Sequence, residues 1–336
     1  MDYQALAERV LAGEAPSREE ANAILDAPQD DLLPLLDAAF RVRRRYFGRA
    51  VQIHFLTNAK SGICPEDCAY CSQSAISSAS IDRYPLVDEE RLLEGAGRAA
   101  AAGSRRYCIV ISARGPSEGE IERIGRAVRR IKERHPLSVC CSLGLLDGGQ
   151  ARRLKEAGVD RLNHNLNTSE RFYPRICSTH TYRDRMETLA AARGAGLELC
   201  SGVIFGQGES REDILDACEA LRALGPESIP VNFLNAIPGT PLERVPPLGP
   251  ARCLRLLALM RFFNPRSEIR VAGGREVQLR ELQPLALYPA NSIFVEGYLT
   301  TPGQSAEEAH RMIRDLGFEV DAAGRTDPHF KVDGSM

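Results

Sequence analysis

Apolar and polar positions along the chain follow two rhythms in turn. Up to about residue 48, Leu32, Leu35, Leu36, Ala39 and Phe40 recur every three or four residues, the spacing that gathers apolar side chains on one helical face. Ser17-Arg18-Glu19-Glu20 has the form of a capping box. These residues predict a helical extension, 1–48, without catalytic duty. From Val51 onward short β-rich runs alternate with longer amphipathic ones. Strands are predicted at 51–57, 105–112, 137–142, 160–166, 197–204, 228–234, 268–272 and 292–297. Helices are predicted near 88–102, 118–134, 148–157, 181–195, 210–224, 250–263, 275–287 and 304–316. Gly103, Gly158, Gly196 and Gly225 stand at predicted helix ends, where glycine closes a helix in the left-handed conformation.

Eight strand–helix units in about 265 residues are the arithmetic of a (β/α)8 TIM-type barrel, an α/β fold whose site gathers at the C-terminal ends of the strands. A doubly wound open sheet is the structural alternative, but no G-x-G-x-x-G turn follows the first predicted strand. The expected organisation is an extension at 1–48, a barrel at 49–318 and a polar tail at 319–336. That tail holds Gly324, Pro328 and Gly334 and reads as a loose terminus.

Composition narrows the function classes. The 336 residues are 43% hydrophobic and 26% charged, ordinary for a soluble globular enzyme. Basic and acidic residues number 43 and 45, so no electrostatic footprint for nucleic acid is visible, and the run Arg43–Arg45 reads as the solvated face of a helix. The N-terminal M-D-Y-Q-A-L-A-E-R-V lacks the apolar run of a secretory signal, and no apolar stretch reaches the roughly 18 residues of a membrane span. Ten cysteines without an export signal point to thiols or cluster ligands in a reducing, cytoplasmic setting.

The candidate chemistry concentrates in N-A-K-S-G-I-C-P-E-D-C-A-Y-C-S-Q-S, residues 58–74, where Gly62 and Pro65 make a loop. Cys64, Cys68 and Cys71 have the spacing C-x3-C-x2-C, with no fourth cysteine or histidine following at finger spacing. Soft thiolates suit zinc, copper(I) or an iron-sulfur cluster. A four-iron cubane held by three thiolates keeps one iron open for chemistry. The structural alternatives are a zinc loop completed by a distant residue such as His54, or three buried thiols.

Polar residues also fall where a barrel interior should be apolar. Side chains alternate along a strand, so in D-R-L-N-H-N-L-N-T the residues Asn163, Asn165 and Asn167 share one face, and Leu162, His164 and Leu166 the other. If the asparagine face points inward, a bound polar ligand can satisfy it; if it points outward, it is a wet edge. Cys108, Cys140 and Cys200 lie on three separate predicted strands, and Arg270 on a fourth. Singly each thiol reads as a small buried hydrophobe; together they suit a second cluster deep in the barrel. A one-residue change of register would exchange Cys140 with Cys141. Cys177, Cys218 and Cys253 fall in loop or helix positions and read as bystanders, although Cys141 and Cys177 leave room for an auxiliary cluster of more than two irons.

The aromatic Tyr70 immediately before Cys71 completes a motif that resembles the cluster loop of the radical S-adenosylmethionine enzymes. From Phe40 to Leu316 the chain is similar to the biotin synthase family within that superfamily. The matching runs are G-I-C-P-E-D-C-A-Y-C-S-Q-S, R-Y-C-I-V-I-S, N-H-N-L-N-T-S, T-H-T-Y-R-D-R, C-S-G-V-I-F-G-Q-G-E, V-N-F-L-N-A-I-P-G-T-P-L, I-R-V-A-G-G-R-E and A-N-S-I-F-V-E-G-Y-L-T-T. The resemblance implies a barrel in a homodimer, a [4Fe-4S] cluster on Cys64, Cys68 and Cys71, and an auxiliary cluster, commonly [2Fe-2S], on Cys108, Cys140, Cys200 and Arg270. It implies S-adenosylmethionine contacts at Tyr70, Asn165, Asn167, Arg185 and Ile204. Asn165 would also meet the substrate dethiobiotin, with Asn163, Asn232, Lys60 and Arg106 around the same pocket. Asn167 stands where some family members have aspartate. The implied reaction inserts sulfur into dethiobiotin, with electrons from a flavodoxin- or ferredoxin-type donor and no side chain needed as general acid or base. Competing readings are a hydrogenase-cofactor maturase, a methylornithine synthase and a non-catalytic iron-sulfur or zinc protein.

Overall fold

Strand β1 (Ala50–Lys60) pairs in parallel with β2 (Arg106–Ile111) on one side and with β9 (Ser292–Phe294) on the other, so the sheet closes on itself. Between them run β3 (Ser138–Ser142), β4 (Arg161–Asn163), β5 (Glu198–Cys200), β6 (Val203–Phe205), β7 (Ser228–Phe233) and β8 (Glu268–Val271), every pairing parallel. This computed structural model describes residues 1–322. The expected eight-stranded (β/α)8 barrel is present, with β5 and β6 acting as one interrupted strand: both pair with β7.

The interruption corrects the continuous strand expected at 197–204. At Gly202 the chain passes so close to β7 that a Cβ would overlap the Pro230 carbonyl oxygen. The Gly202 amide is turned away from the ladder and donates to Asn165 Oδ1 at 3.1 Å.

The helices return the chain between strands: α4 (Glu89–Ala101), α5 (Glu118–Arg134), α6 (Gly148–Glu156), α7 (Tyr182–Gly194), α8 (Arg211–Leu224) and α9 (Pro250–Phe263), then α10 (Arg275–Leu279) and α11 (Ala306–Asp315). Ser117, Asp147, Thr181, Ser210 and Ser305 each close a reciprocal capping box, which supplies partners for the otherwise orphaned amides of a first turn. The helix expected at 275–287 is shorter than its pattern suggested. After α10 the chain tightens into a 3-10 turn, Arg280–Leu287, because Arg280 takes φ 50° and Pro284 carries no amide hydrogen. Among the described residues no helix is long and apolar enough to cross a membrane.

The N-terminal extension consists of α1 (Tyr3–Leu11), α2 (Arg18–Leu25) and α3 (Leu32–Phe47). Leu35, Leu36, Ala39 and Val42 of α3 are buried in the same core as Leu256, Leu257, Met260 and Phe263 of α9. Arg43 does not belong to a solvated face as expected. It is fully buried, donating to the carbonyls of Gly48, Ala50 and Ala290, which ties the extension to the floor of the barrel. At the other end of the chain, β10 (Glu319–Asp321) adds to β1 where the polar tail was expected to begin. Residues 323–336, with Gly324, Pro328 and Gly334, lie outside the described residues.

Register sorts the strand side chains into two sets. Leu56, Cys108 and Cys140 are direct neighbours across β1, β2 and β3, and alternation turns them to the lumen. Tyr107, Ile109, Cys141, Leu162, Leu199, Ile229 and Ile269 face the helices and form the main core. Cys141 is thereby an outward-facing packing residue, and Cys140 is the luminal thiol.

Candidate metal and cofactor centre

The loop after β1 carries Cys64, Cys68 and Cys71 over the C-terminal mouth of the barrel. The Cys71 amide donates to the Cys68 carbonyl at 3.1 Å, and the Ala69 amide to Ile176 at 2.9 Å, so the turn is pinned to the loop after β4. Glu66 sits beside it, accepting from Thr179 at 2.5 Å, from Arg114 at 3.1 Å and from His180 Nδ1. Burial opposes ionisation of Glu66, but those bonds hold its carboxyl below the usual range. Arg185 Nη2 donates to His180 Nε2 at 2.8 Å, which leaves the imidazole proton on Nδ1, facing Glu66.

All three cysteines line one cavity of about 310 Å³ that descends into the barrel. Burial raises the thiol pKa of Cys64 and pushes Cys71 up to about 11. Cys68 is raised first by its hydrogen bond with Cys177 and then by burial. Three such thiols converging on a cavity fit a metal centre, which binds by displacing their protons. The fourth ligand considered for a zinc loop, His54, is elsewhere. It is fully buried at the barrel floor, its Nε2 3.1 Å from Glu268 Oε1.

Lower in the same cavity, Cys108, Cys140 and Arg270 line the wall. Cys200 lies just behind, fully buried, in one cluster with Cys108, Cys140, Ala272 and Phe294. Arg270 Nη1 points at Cys200 Sγ from 3.7 Å, and Asn163 Nδ2 reaches the same sulfur at 3.1 Å. Beneath these thiols is a buried ionic floor. Glu268 accepts from Arg270 at 2.7 Å, from Arg161 at 2.8 Å and from Arg106 at 3.4 Å. Burial opposes its charge, yet the guanidinium charges of Arg270 and Arg161 keep the carboxyl well below its ordinary value. Arg161 and Arg106 also pair with Glu198 at the outer edge of the floor, at 2.7 and 3.7 Å, so three guanidinium groups face two carboxylates and leave one positive charge. That charge favours an anionic group above them, as thiolate-ligated iron would be.

Between the two thiol sets lie the polar residues picked out in the sequence. Tyr70, Asn163, Asn165, Asn167, Arg185, Ile204 and Asn232 all line the cavity. Asn167 Nδ2 donates to the Tyr70 hydroxyl at 2.6 Å, and the Asn167 carbonyl accepts from the Ile204 amide at 2.8 Å. Arg185 Nη1 donates to the Asn165 carbonyl at 2.8 Å, and Arg185 Nε bonds the Tyr173 hydroxyl. Asn232 spans β6 and the turn after β8, donating to Val203 at 3.0 Å and accepting from Gly273 at 2.9 Å.

Three expectations need correction. The strict alternation from 162 to 167 fails because β4 ends at Asn163; His164 lines the cavity as well, and Asn167 takes φ 70°. Lys60 turns out of the pocket to an ion pair with Glu120 at 2.8 Å. Arg106 belongs to the ionic floor and is not among the cavity-lining residues.

Sequence reasoning read Cys177 as a bystander and passed over His180 and Glu268. Cys68, Cys177 and His180 bring their ligand atoms within 4.8 Å of one another. His180 was visible in T-H-T-Y-R-D-R, and Glu268 sits two residues before Arg270, on the same face of β8. Neither carried a spacing signal.

Comparison with known proteins agrees with this geometry. Residues 59–221 match the Radical SAM superfamily model, and residues 230–319 match the Biotin and Thiamin Synthesis associated domain. The radical S-adenosylmethionine family brings with it a [4Fe-4S] cluster and S-adenosylmethionine. The biotin synthase of Bacillus licheniformis is 55% identical over 95% of this chain and 96% of its own length. Those of Bacillus subtilis strain 168 and Geobacillus kaustophilus are each 54% identical, over 95% and 96% of this chain and 96% and 97% of their own lengths. In fold the chain is similar to a methylornithine synthase (TM-score 0.81, 20% identity, 94% of this chain and 97% of that one). It is also similar to the FeFe-hydrogenase maturase of Carboxydothermus hydrogenoformans (TM-score 0.79, 17% identity, 95% and 79%). At such identities these two likenesses speak for the barrel alone. With the family models covering most of the chain and relatives above half identity from end to end, the chain belongs to the biotin synthase family, radical S-adenosylmethionine enzymes that insert sulfur.

Proposed function

We propose that the chain converts dethiobiotin to biotin in the cavity between two iron-sulfur clusters. Cys64, Cys68 and Cys71 would hold the [4Fe-4S] cluster; Cys108, Cys140, Cys200 and Arg270 would hold an auxiliary cluster, read as [2Fe-2S]. The observation that carries this reading is the presence of two separate thiol sets along one cavity, Cys64, Cys68 and Cys71 at the mouth and Cys108 and Cys140, backed by Cys200, at the floor. When bound, the cubane with S-adenosylmethionine supplies radical hydrogen abstraction, and the auxiliary cluster supplies sulfur.

The chain's own residues would position and enclose. Tyr70, Asn165, Asn167, Arg185 and Ile204, which line the cavity with the mouth-side thiols, would form the surface for S-adenosylmethionine. The Tyr70–Asn167 bond fixes one wall, and Ile204 offers an apolar face. Asn163, whose Nδ2 reaches Cys200 Sγ, would with Asn165 and Asn232 line the place of dethiobiotin. Walls of this kind exclude water and hold the reacting carbon near the sulfur source, and proximity of that sort supplies much of a rate enhancement. Lys60 and Arg106 drop out of the proposed substrate set. The division into an extension at 1–48, a barrel at 49–318 and a tail from 319 is kept as part of the proposal, with a homodimer, a flavodoxin- or ferredoxin-type electron donor and a cytoplasmic setting.

Anaerobic iron and sulfide counting on reconstituted protein, followed by assay for 5′-deoxyadenosine, methionine and biotin, tests this directly. Cys68→Ala should lose the cubane and all cofactor cleavage. Cys200→Ala should lose the auxiliary cluster and biotin while keeping the cubane. Normal turnover in Cys68→Ala, or unchanged biotin yield in Cys200→Ala, would overturn the assignment. Product analysis with dethiobiotin separates it from maturase-like and methylornithine-forming alternatives.

A further inference from the structure

Arginine offers five N–H donors in a rigid planar fork, so the way some are engaged dictates where the others point. In Arg270, Nε donates to Glu268 Oε1 at 3.2 Å and Nη2 donates to the same oxygen at 2.7 Å. Nη2 also donates to Ser228 Oγ at 2.6 Å. That whole edge of the guanidinium is taken up by the floor. The corner left over is Nη1, and it is the one that faces Cys200 Sγ. A stack of Arg270 against the Phe294 ring, 5.1 Å from its centroid, fixes the plane.

Glu268 is itself immobilised. Its second oxygen accepts from Arg161 at 2.8 Å, and its first also accepts from Ser292 Oγ at 2.7 Å. The carboxylate is 5% exposed. Glu268 and Arg270 are two residues apart on β8 and so share its luminal face, with the acid one layer below the base.

We infer that Glu268 is a positioning residue for the auxiliary centre, aiming Nη1 of Arg270 into the thiol set formed by Cys108, Cys140 and Cys200. This rests on the auxiliary-cluster reading above. Glu268 also places a negative charge directly beneath that centre, which disfavours adding an electron to it. Groups that orient a metal ligand cost about 10- to 100-fold in metal affinity when removed, and potentials of iron-sulfur centres respond to nearby charge and hydrogen bonds.

The test uses anaerobically reconstituted full-length protein, with the cubane as internal reference. In Glu268→Gln the acceptor charge is lost while the side-chain shape is kept. Release of auxiliary iron to a ferrous chelator should quicken by about tenfold or more, the auxiliary visible and Mössbauer signature should change, and its reduction potential should become more positive. Cubane iron and its spectrum should stay as in the parent protein, which a general loss of structure would not allow. Ser228→Ala removes one bond to Nη2 without altering charge, so it should quicken release by a smaller factor and leave the potential closer to that of the parent. An unchanged release rate, signature and potential in Glu268→Gln would overturn the inference. Should that variant not fold, an unchanged release rate in Ser228→Ala would do the same. Full auxiliary iron in Cys200→Ala would instead sink the cluster reading on which it rests.

Discussion

The sulfur of Cys177 lies 3.8 Å from that of Cys68, behind the mouth-side triplet and away from the luminal thiols of the floor. It is therefore neither the bystander that its loop position suggested nor a candidate for enlarging the auxiliary cluster. The protonated Nδ1 of His180 faces the same sulfur at 3.2 Å, and Asp67 Oδ1, an acceptor, lies 3.3 Å from it.

In the cluster-free protein the hydrogen bond with Cys68 is the largest influence on Cys177. Against the opposing effect of burial, and with further bonds from His180 and Thr179, it holds the thiol pKa down to about 4. The sign follows from the ordinary value of 9.0: the stabilisation is complete above that pH and is lost as the pH falls through about 4. Cluster-free protein at neutral pH should thus show one thiolate by ultraviolet absorbance, and Cys177→Ala should remove it. Equal thiolate absorbance in the two proteins would refute the assignment.

Asn167 is held at φ 70°, a conformation that asparagine tolerates far better than β-branched residues do. Asn167→Val should lower stability by about 1–3 kcal/mol, read as a drop in the anaerobic melting temperature. Asn167→Gly frees the backbone but loses the bond to Tyr70. It should melt close to the parent protein yet bind S-adenosylmethionine more weakly in equilibrium dialysis. Equal dialysis isotherms would remove Asn167 from the cofactor surface.

Gly202 is required by the approach of two backbones. In Gly202→Ala the new methyl group meets the Pro230 carbonyl, which cannot rotate away as a side chain could. Overpacking of this kind should cost about 3 kcal/mol or more, and it should also loosen Asn165 by displacing the amide that bonds it. Thermal unfolding checks the first effect; a parent-like melting temperature would contradict it.

Acid sensitivity should originate at the barrel floor. Burial, reinforced by the positive charge of Arg270, pushes His54 down to about 3, so it is neutral in the fold but takes up a proton near pH 6.5 once unfolded. The stability this contributes is present above pH 6.5 and is lost as the pH falls toward 3. One such proton steepens the loss by about 1.4 kcal/mol per pH unit. Melting temperatures measured from pH 7 down to about 5, above most carboxylate titration, should fall less steeply in His54→Gln than in the parent. Parallel profiles would exclude His54 as the source.

Much of the fold was legible because local patterns carry it. Alternating strand and helix periods, with glycines and capping boxes between them, announce eight units, and eight units close a barrel. The mouth-side triplet was equally legible, since all three cysteines sit in one loop. The luminal thiols were only half legible: strand position suggested Cys108, Cys140 and Cys200, but the choice between Cys140 and Cys141 depends on a register that pairing with Cys108 decides. The run from Asn163 to Asn167 misled because a strand of three residues cannot impose alternation on those that follow it. Lys60 and Arg106 misled because a long basic side chain goes to its nearest carboxylate, here Glu120 and Glu268, and neither partner is adjacent in sequence.

The order of residues by itself determined where helices and strands begin, which three cysteines share a loop, and that the chain closes into one barrel. Those features depend on neighbours a few residues apart. Tertiary structure alone decided that Arg43 is buried, that Cys177 backs Cys68, and that Glu268 stands beneath Arg270 among three guanidinium groups. These depend on side chains brought together from distant strands and loops, whose charges and hydrogen bonds exert their full effect only once water has been excluded from between them.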